Sequence, residues 1–176
     1  MSFRLKAMIL GLLLTTAAHG QRAEEYRVKA AFLLNFARFV EWPPQEFKSS
    51  ADPIAICVIG QNLFGNALDN AVIGKTVEGR AFLVRQLSGS QPLGGCQILF
   101  VSSSERNRLQ AILGEIKTGG VLTVGETDAF ASEGGMINFK IEGGRVRLQV
   151  NLEAAEEANL RISSTLLSLA QIVKKK

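Results

Sequence analysis

The sequence predicts an α/β domain: a largely parallel sheet flanked by helices on both faces, with a C-terminal antiparallel β-hairpin. Three observations predict it. The runs "PIAICVIG" (53–60), "CQILFVSS" (96–103) and "VLTVGE" (121–126) are apolar almost throughout, the pattern of strands buried on both faces. Stretches of helical period separate them, as parallel strands require. The segment "MINFKIEGGRVRLQVNL" (136–152) alternates strictly about Gly143-Gly144, a two-residue hairpin turn.

Taken in order, residues 1–20 read as a cleaved signal peptide. Arg4 and Lys6 form a basic start, "AMILGLLLTTAA" (7–18) is the apolar stretch, and Ala18 and Gly20 supply small residues at a cleavage site before Gln21. The stretch is shorter than the ~18–20 apolar residues of a bilayer span. Residues 21–176 are then one domain, expected in the periplasm. Residues 26–42 read as a helix closed by Pro43-Pro44. Its apolar residues spread well beyond the ~100° stripe of an ordinary amphipathic helix, so it calls for two burial partners. Phe32, Phe36 and Phe39 are expected on the sheet. Leu33, Ala37 and Val40 are expected against another helix, either the C-terminal one or one from a second subunit in a homodimer.

After the strand at 53–60, "LFGNALDNAVIG" (63–74) reads as a helix stopped by Gly74, and "GRAFLVRQL" (79–87) as a strand near an edge. Ser102-x-x-Glu105 has the form of a capping box before a helix that buries Leu109, Ile112, Leu113 and Ile116. In the hairpin, Ile141 faces Val146, Phe139 faces Leu148 and Ile137 faces Val150. The other side pairs Glu142 with Arg145 and sets Lys140 against Arg147. Asn151 is placed to cap a short helix through "EAAEEA". Ser163 or Ser164 is placed to cap a last helix with Leu166, Leu169, Ala170 and Val173 on one face.

The composition excludes several chemistries. Without Arg4 and Lys6 the 20 basic residues become 18 against 16 acidic ones, a net charge of +2, and apart from the terminal "KKK" they are scattered. No face for nucleic acid is indicated. The one histidine, His19, lies in the leader, so the mature chain has no imidazole for general-base catalysis or a metal site. "GKT" (74–76) lacks the upstream glycine of a phosphate loop; no nucleophile elbow or Ser-x-x-Lys occurs. No enzyme, cofactor or metal is expected. Cys57 and Cys96 form an even pair in an exported chain, the setting of a disulfide, the alternative being two buried free thiols. The loop at 126–135, with "ETD" and "SEGG", follows a strand's carboxyl end, where α/β proteins bind ligands.

The order "VKAAFLLNFARFVEWP" (28–43), then "GGMINFKIEGGRVRLQVNLEAAEEANLRISSTLLSLAQIV" (134–173), behind a signal peptide, resembles the YfiR/HmsC-like family. The resemblance implies a periplasmic repressor that engages the periplasmic part of an inner-membrane diguanylate cyclase, lowering cyclic-di-GMP and biofilm formation. It also implies a homodimer and relief by an outer-membrane OmpA-like lipoprotein. Cys57 and Cys96 match one disulfide of such repressors, whereas "ASEGGMIN" (131–138) lacks a second cysteine pair found in some members. The candidate contact surface is the polar hairpin face, Lys140, Arg147 and Gln149, with Arg161 and Ile162 in "NLRISS". A periplasmic small-ligand-binding module is the alternative.

Overall fold

The computed structural model describes residues 2–89, 91–116 and 119–174, with side chains from residue 20 onward, so most of the leader reading lies outside the described side chains. Helix α1 (Ser2–Phe39) leads into strand β1 (Val40–Glu41), and a 3-10 turn (Pro44–Glu46) precedes β2 (Ile54–Ile59). There follow α2 (Ala67–Val72), β3 (Thr76–Val77), β4 (Arg80–Leu87), β5 (Ile98–Val101), a second 3-10 turn (Ser103–Arg108) and α3 (Leu109–Glu115). The chain closes with β6 (Leu122–Gly125), β7 (Ile137–Glu142), β8 (Arg145–Val150), α4 (Leu152–Glu157), β9 (Arg161–Ile162), α5 (Ser164–Leu167) and β10 (Ala170–Ile172). No described helix is long and apolar enough to cross a membrane.

The main sheet has eight strands in the order β10-β8-β7-β6-β5-β2-β4-β3. Only β3–β4 and β7–β8 are antiparallel; the other neighbours run parallel. The α/β class therefore stands. Strands β2, β5 and β6 are buried at every position, as their apolar runs demand. Alternate side chains feed two cores. Ile54, Ile56, Val58, Ile98 and Phe100 join α1 and α2; Ala55, Cys57, Ile59, Leu99 and Val101 join α3. Cys57 and Cys96 form a disulfide in the second core, with Cα atoms 5.9 Å apart.

The hairpin has the expected register: Ile137↔Val150, Phe139↔Leu148, Lys140↔Arg147, Ile141↔Val146 and Glu142↔Arg145. Its apolar face receives α1, whose Phe36 ring stacks on Phe139 at 5.9 Å between centroids, with Phe32 also at 5.9 Å from Phe139. Asn151 caps α4, its Oδ1 accepting the Ala154 N–H at 3.1 Å.

Four elements differ from expectation. Helix α1 stops at Phe39, short of the Pro43 stop, where β9 offers a ladder: Val40 pairs with Ile162 and Glu41 with Arg161. Helix α2 is shorter than 63–74. Ser102 makes no capping bond through its side chain, and the chain passes through the second 3-10 turn, its Ser104 hydroxyl accepting the Gln61 N–H at 2.9 Å. The last helix lasts one turn. Ser163 Oγ accepts the Leu166 N–H at 3.3 Å as expected, but 170–172 becomes β10, parallel to β8. The outer edge of β8 carries unpaired backbone groups that a neighbouring strand satisfies and a helix does not.

Candidate functional site

The second core does not reach β7, β8 or β10: none of their residues belongs to it. The polar residues on that side of them, Asn138, Lys140, Arg147, Gln149 and Gln171, belong to neither core. Across that face runs an amide ladder, Asn138 Nδ2 donating to Gln149 Oε1 at 3.1 Å and Gln149 Nε2 to Gln171 Oε1 at 3.3 Å. Asn138 is buried at one end and Gln171 exposed at the other. One row on, Lys140 and Arg147 stand opposite each other, like charges across a strand pair. Lys140 is relieved by Glu142, 3.0 Å from its Nζ, and Arg147 is exposed without an ion pair among the described residues. The structure thus brings Lys140, Arg147 and Gln149 onto one face. It adds Gln171, which the helical reading of 163–173 hid.

Arg161 and Ile162 do not share that face. They lie on β9, beside the end of α1, where Arg161 is exposed 3.6 Å from Glu41 and Ile162 is buried in the first core. Ile162 is therefore not a surface residue: strand alternation turns it inward when Arg161 points out. Leu33, Ala37 and Val40 are likewise buried within this one chain, Leu33 completely. The covering that their stripe demands comes from the chain itself, so they present no face to a second subunit.

A second arrangement sits at the carboxyl ends of β5 and β6. Lys29, inside the buried stripe of α1, bonds Glu25 Oε1 at 2.5 Å and Glu126 Oε2 at 2.7 Å, with its Nζ 4.4 Å from the centre of the Tyr26 ring. Glu126 also accepts the Tyr26 hydroxyl at 2.8 Å and the Ser103 N–H at 3.0 Å. Burial alone would raise the Glu126 pKa. The Lys29 charge and hydrogen bond, with the Ser103 and Tyr26 bonds, outweigh burial and hold it below the usual carboxylate range. Burial first, and then the Glu126 charge, push the Tyr26 hydroxyl upward. Beside this cluster lies a polar cleft of about 280 Å³ bordered by Arg22, Ser103, Asp128 and Lys140. Sequence reasoning placed the 126–135 loop here but missed Lys29 and Tyr26. The available signal was a lysine seven residues before Phe36 and four before Leu33, on the buried side of the helix.

Two packed layers on a mixed sheet, clamped by a disulfide, and a broad polar strand face left open define a disulfide-bearing α/β domain that presents a surface. The chain matches the YfiR/HmsC-like family over residues 26–171 and belongs to it. The family is one of periplasmic regulators of diguanylate cyclase, regulators rather than enzymes. No curated protein matches the chain significantly.

Proposed function

We propose that this chain, freed of residues 1–20 and acting in the periplasm, represses an inner-membrane diguanylate cyclase by binding its periplasmic part. The contact surface in this reading is the face of Lys140, Arg147 and Gln149, extended by Gln171, with Arg161 as a separate contact. The observation that supports it is that face itself: hydrogen-bonding and cationic, carried on three paired strands and outside both cores. Repression follows as a population shift, since binding favours the inactive cyclase only by the difference in affinity between its arrangements. An outer-membrane OmpA-like lipoprotein would relieve repression by competing for the chain. The test is Lys140→Glu with Arg147→Glu, and Arg161→Glu separately, at matched periplasmic levels. The double variant raises cellular cyclic-di-GMP toward the level of a deletion strain; an unchanged level sinks the assignment of this face.

A small-ligand-binding module is the second reading, favoured by the cleft beside Glu126. Arg22 and Asp128 border it, neither in an ion pair among the described residues. It expects a metabolite that raises the melting temperature of the purified domain, an effect lost in Arg22→Ala with Asp128→Ala.

A further inference from the structure

We propose that the outer edge of β10 is a self-pairing edge, to which a second copy of this chain adds its own β10, antiparallel, about a two-fold axis through Gln171. Strand β10 is bonded to β8 on one side only, and no described strand covers its other side. In a parallel ladder, alternate residues aim both backbone groups at the neighbouring strand. Gln171 stands opposite Gln149, and the Val173 N–H donates to the Val150 carbonyl at 2.8 Å. Residues 171 and 173 therefore face β8, and Ala170 and Ile172 aim their N–H and C=O groups outward.

Under the two-fold, Ala170 stands opposite Ile172 of the partner subunit, and Ile172 opposite Ala170 of the partner subunit. Each pair exchanges both hydrogen bonds, so the row of donor and acceptor charges on this edge is its own complement. The side chains fit the same register. Ile172, 50% exposed, meets a small alanine. Gln171 meets Gln171 of the partner subunit at the closer spacing, about 4.5 Å between Cα atoms, of a pair without backbone bonds. Its Oε1 already accepts from Gln149, its NH2 group has no acceptor among the described residues, and a carbonyl oxygen takes two hydrogen bonds. A reciprocal amide pair thus joins the two Asn138–Gln149–Gln171 ladders into one. Charge agrees. Lys174 falls opposite Ser168 of the partner subunit, the residue that closes α5. The two Lys174 residues lie six strand steps apart, about 20 Å, well beyond the roughly 8 Å over which salt screens them.

The native cysteines are both held in one disulfide, so a single introduced thiol reports on pairing in the purified protein without any cyclase. Gln171→Cys is expected to give a covalent dimer as the main band on a non-reducing gel, with Leu83→Cys, on β4 at the opposite end of the sheet beyond the two residues that β3 covers, remaining monomeric. Ile172→Pro removes an N–H that faces away from β8. It is expected to leave the melting temperature in place at low protein concentration and to weaken dimerisation at least tenfold by sedimentation. Three results overturn the proposal: a wild-type chain that stays monomeric at 100-fold above working concentration, cross-linking at position 83 but not 171, or a dimer indifferent to Ile172→Pro.

Discussion

Lys29 Nζ and Glu126 Oε2 meet at 2.7 Å with both side chains almost fully buried, 97 residues apart in the chain. The bond ties α1 to the carboxyl ends of β5 and β6. Removing one partner of such a pair leaves the other charge buried and uncompensated, at a cost of about 3–5 kcal/mol. Lys29→Met is expected to cost that much in chemical denaturation. Lys29→Met with Glu126→Gln keeps an oxygen to accept the Ser103 N–H and an NH2 that can donate to the Tyr26 hydroxyl while removing the stranded charge, and is expected to recover most of the loss. Additive losses in the double variant would show that the charges do not couple.

The same cluster sets a pH window. The Glu126 carboxyl lies below its unfolded value of about 4.3, so it contributes stability above that pH and loses the contribution as pH falls through its folded value. Tyr26 has the opposite sign. Its hydroxyl lies above its unfolded value of about 10, so its contribution is complete below that pH and declines as pH rises beyond it. Urea midpoints measured against pH are expected to lose part of their acid limb in Glu126→Gln and part of their alkaline limb in Tyr26→Phe.

The parts of the fold that could be read in advance were those where one period fits and another does not. Residues 137–150 alternate strictly around Gly143-Gly144, which fixes strand, register and face together. "LAQIV" (169–173) suits a short helix or a short strand equally, and the open edge of β8, a tertiary fact, decided for the strand. The breadth of the apolar stripe on α1 correctly announced double burial, but not whose residues would cover Leu33 and Ala37. Lys29 went unread although it lies on that stripe, where a charge needs a partner; naming Glu126 also required knowing that α1 crosses the carboxyl end of β6. The candidate face was half legible, because Lys140, Arg147 and Gln149 follow from the hairpin and Gln171 does not.

Phe130 packs directly against the α-carbons of Gly125 and Gly135, leaving no room for a Cβ at either. The ring, 1% exposed, closes the loop after β6 over the second core, close to where Asn151 Nδ2 holds the Ala131 carbonyl at 2.8 Å. Gly125→Ala or Gly135→Ala must displace it, an overpacking cost of about 1–3 kcal/mol. Adding Phe130→Leu is expected to restore part of the stability lost in Gly125→Ala, although the same change destabilises the wild-type chain. Denaturation of the four proteins in that cycle checks the coupling, and strict additivity would contradict this packing.

The Cys57–Cys96 disulfide joins β2 to a point two residues before β5, across 39 residues of chain. Closing a loop of that length stabilises the fold by about 4 kcal/mol in the chain-entropy model. For a domain of this size that corresponds to a melting temperature roughly 8–16 °C higher. The pair replaced by Cys57→Ala with Cys96→Ala is expected to melt lower by about that amount. Both sulfurs lie inside the second core, Cys57 fully buried and Cys96 2% exposed. A thiol reductant must therefore wait for the sheet to open before it can attack. Reduction of the wild-type protein is expected to be slow in buffer and to accelerate steeply as urea approaches the unfolding midpoint. A rate already fast in buffer would mean that the bond is reached without opening the core.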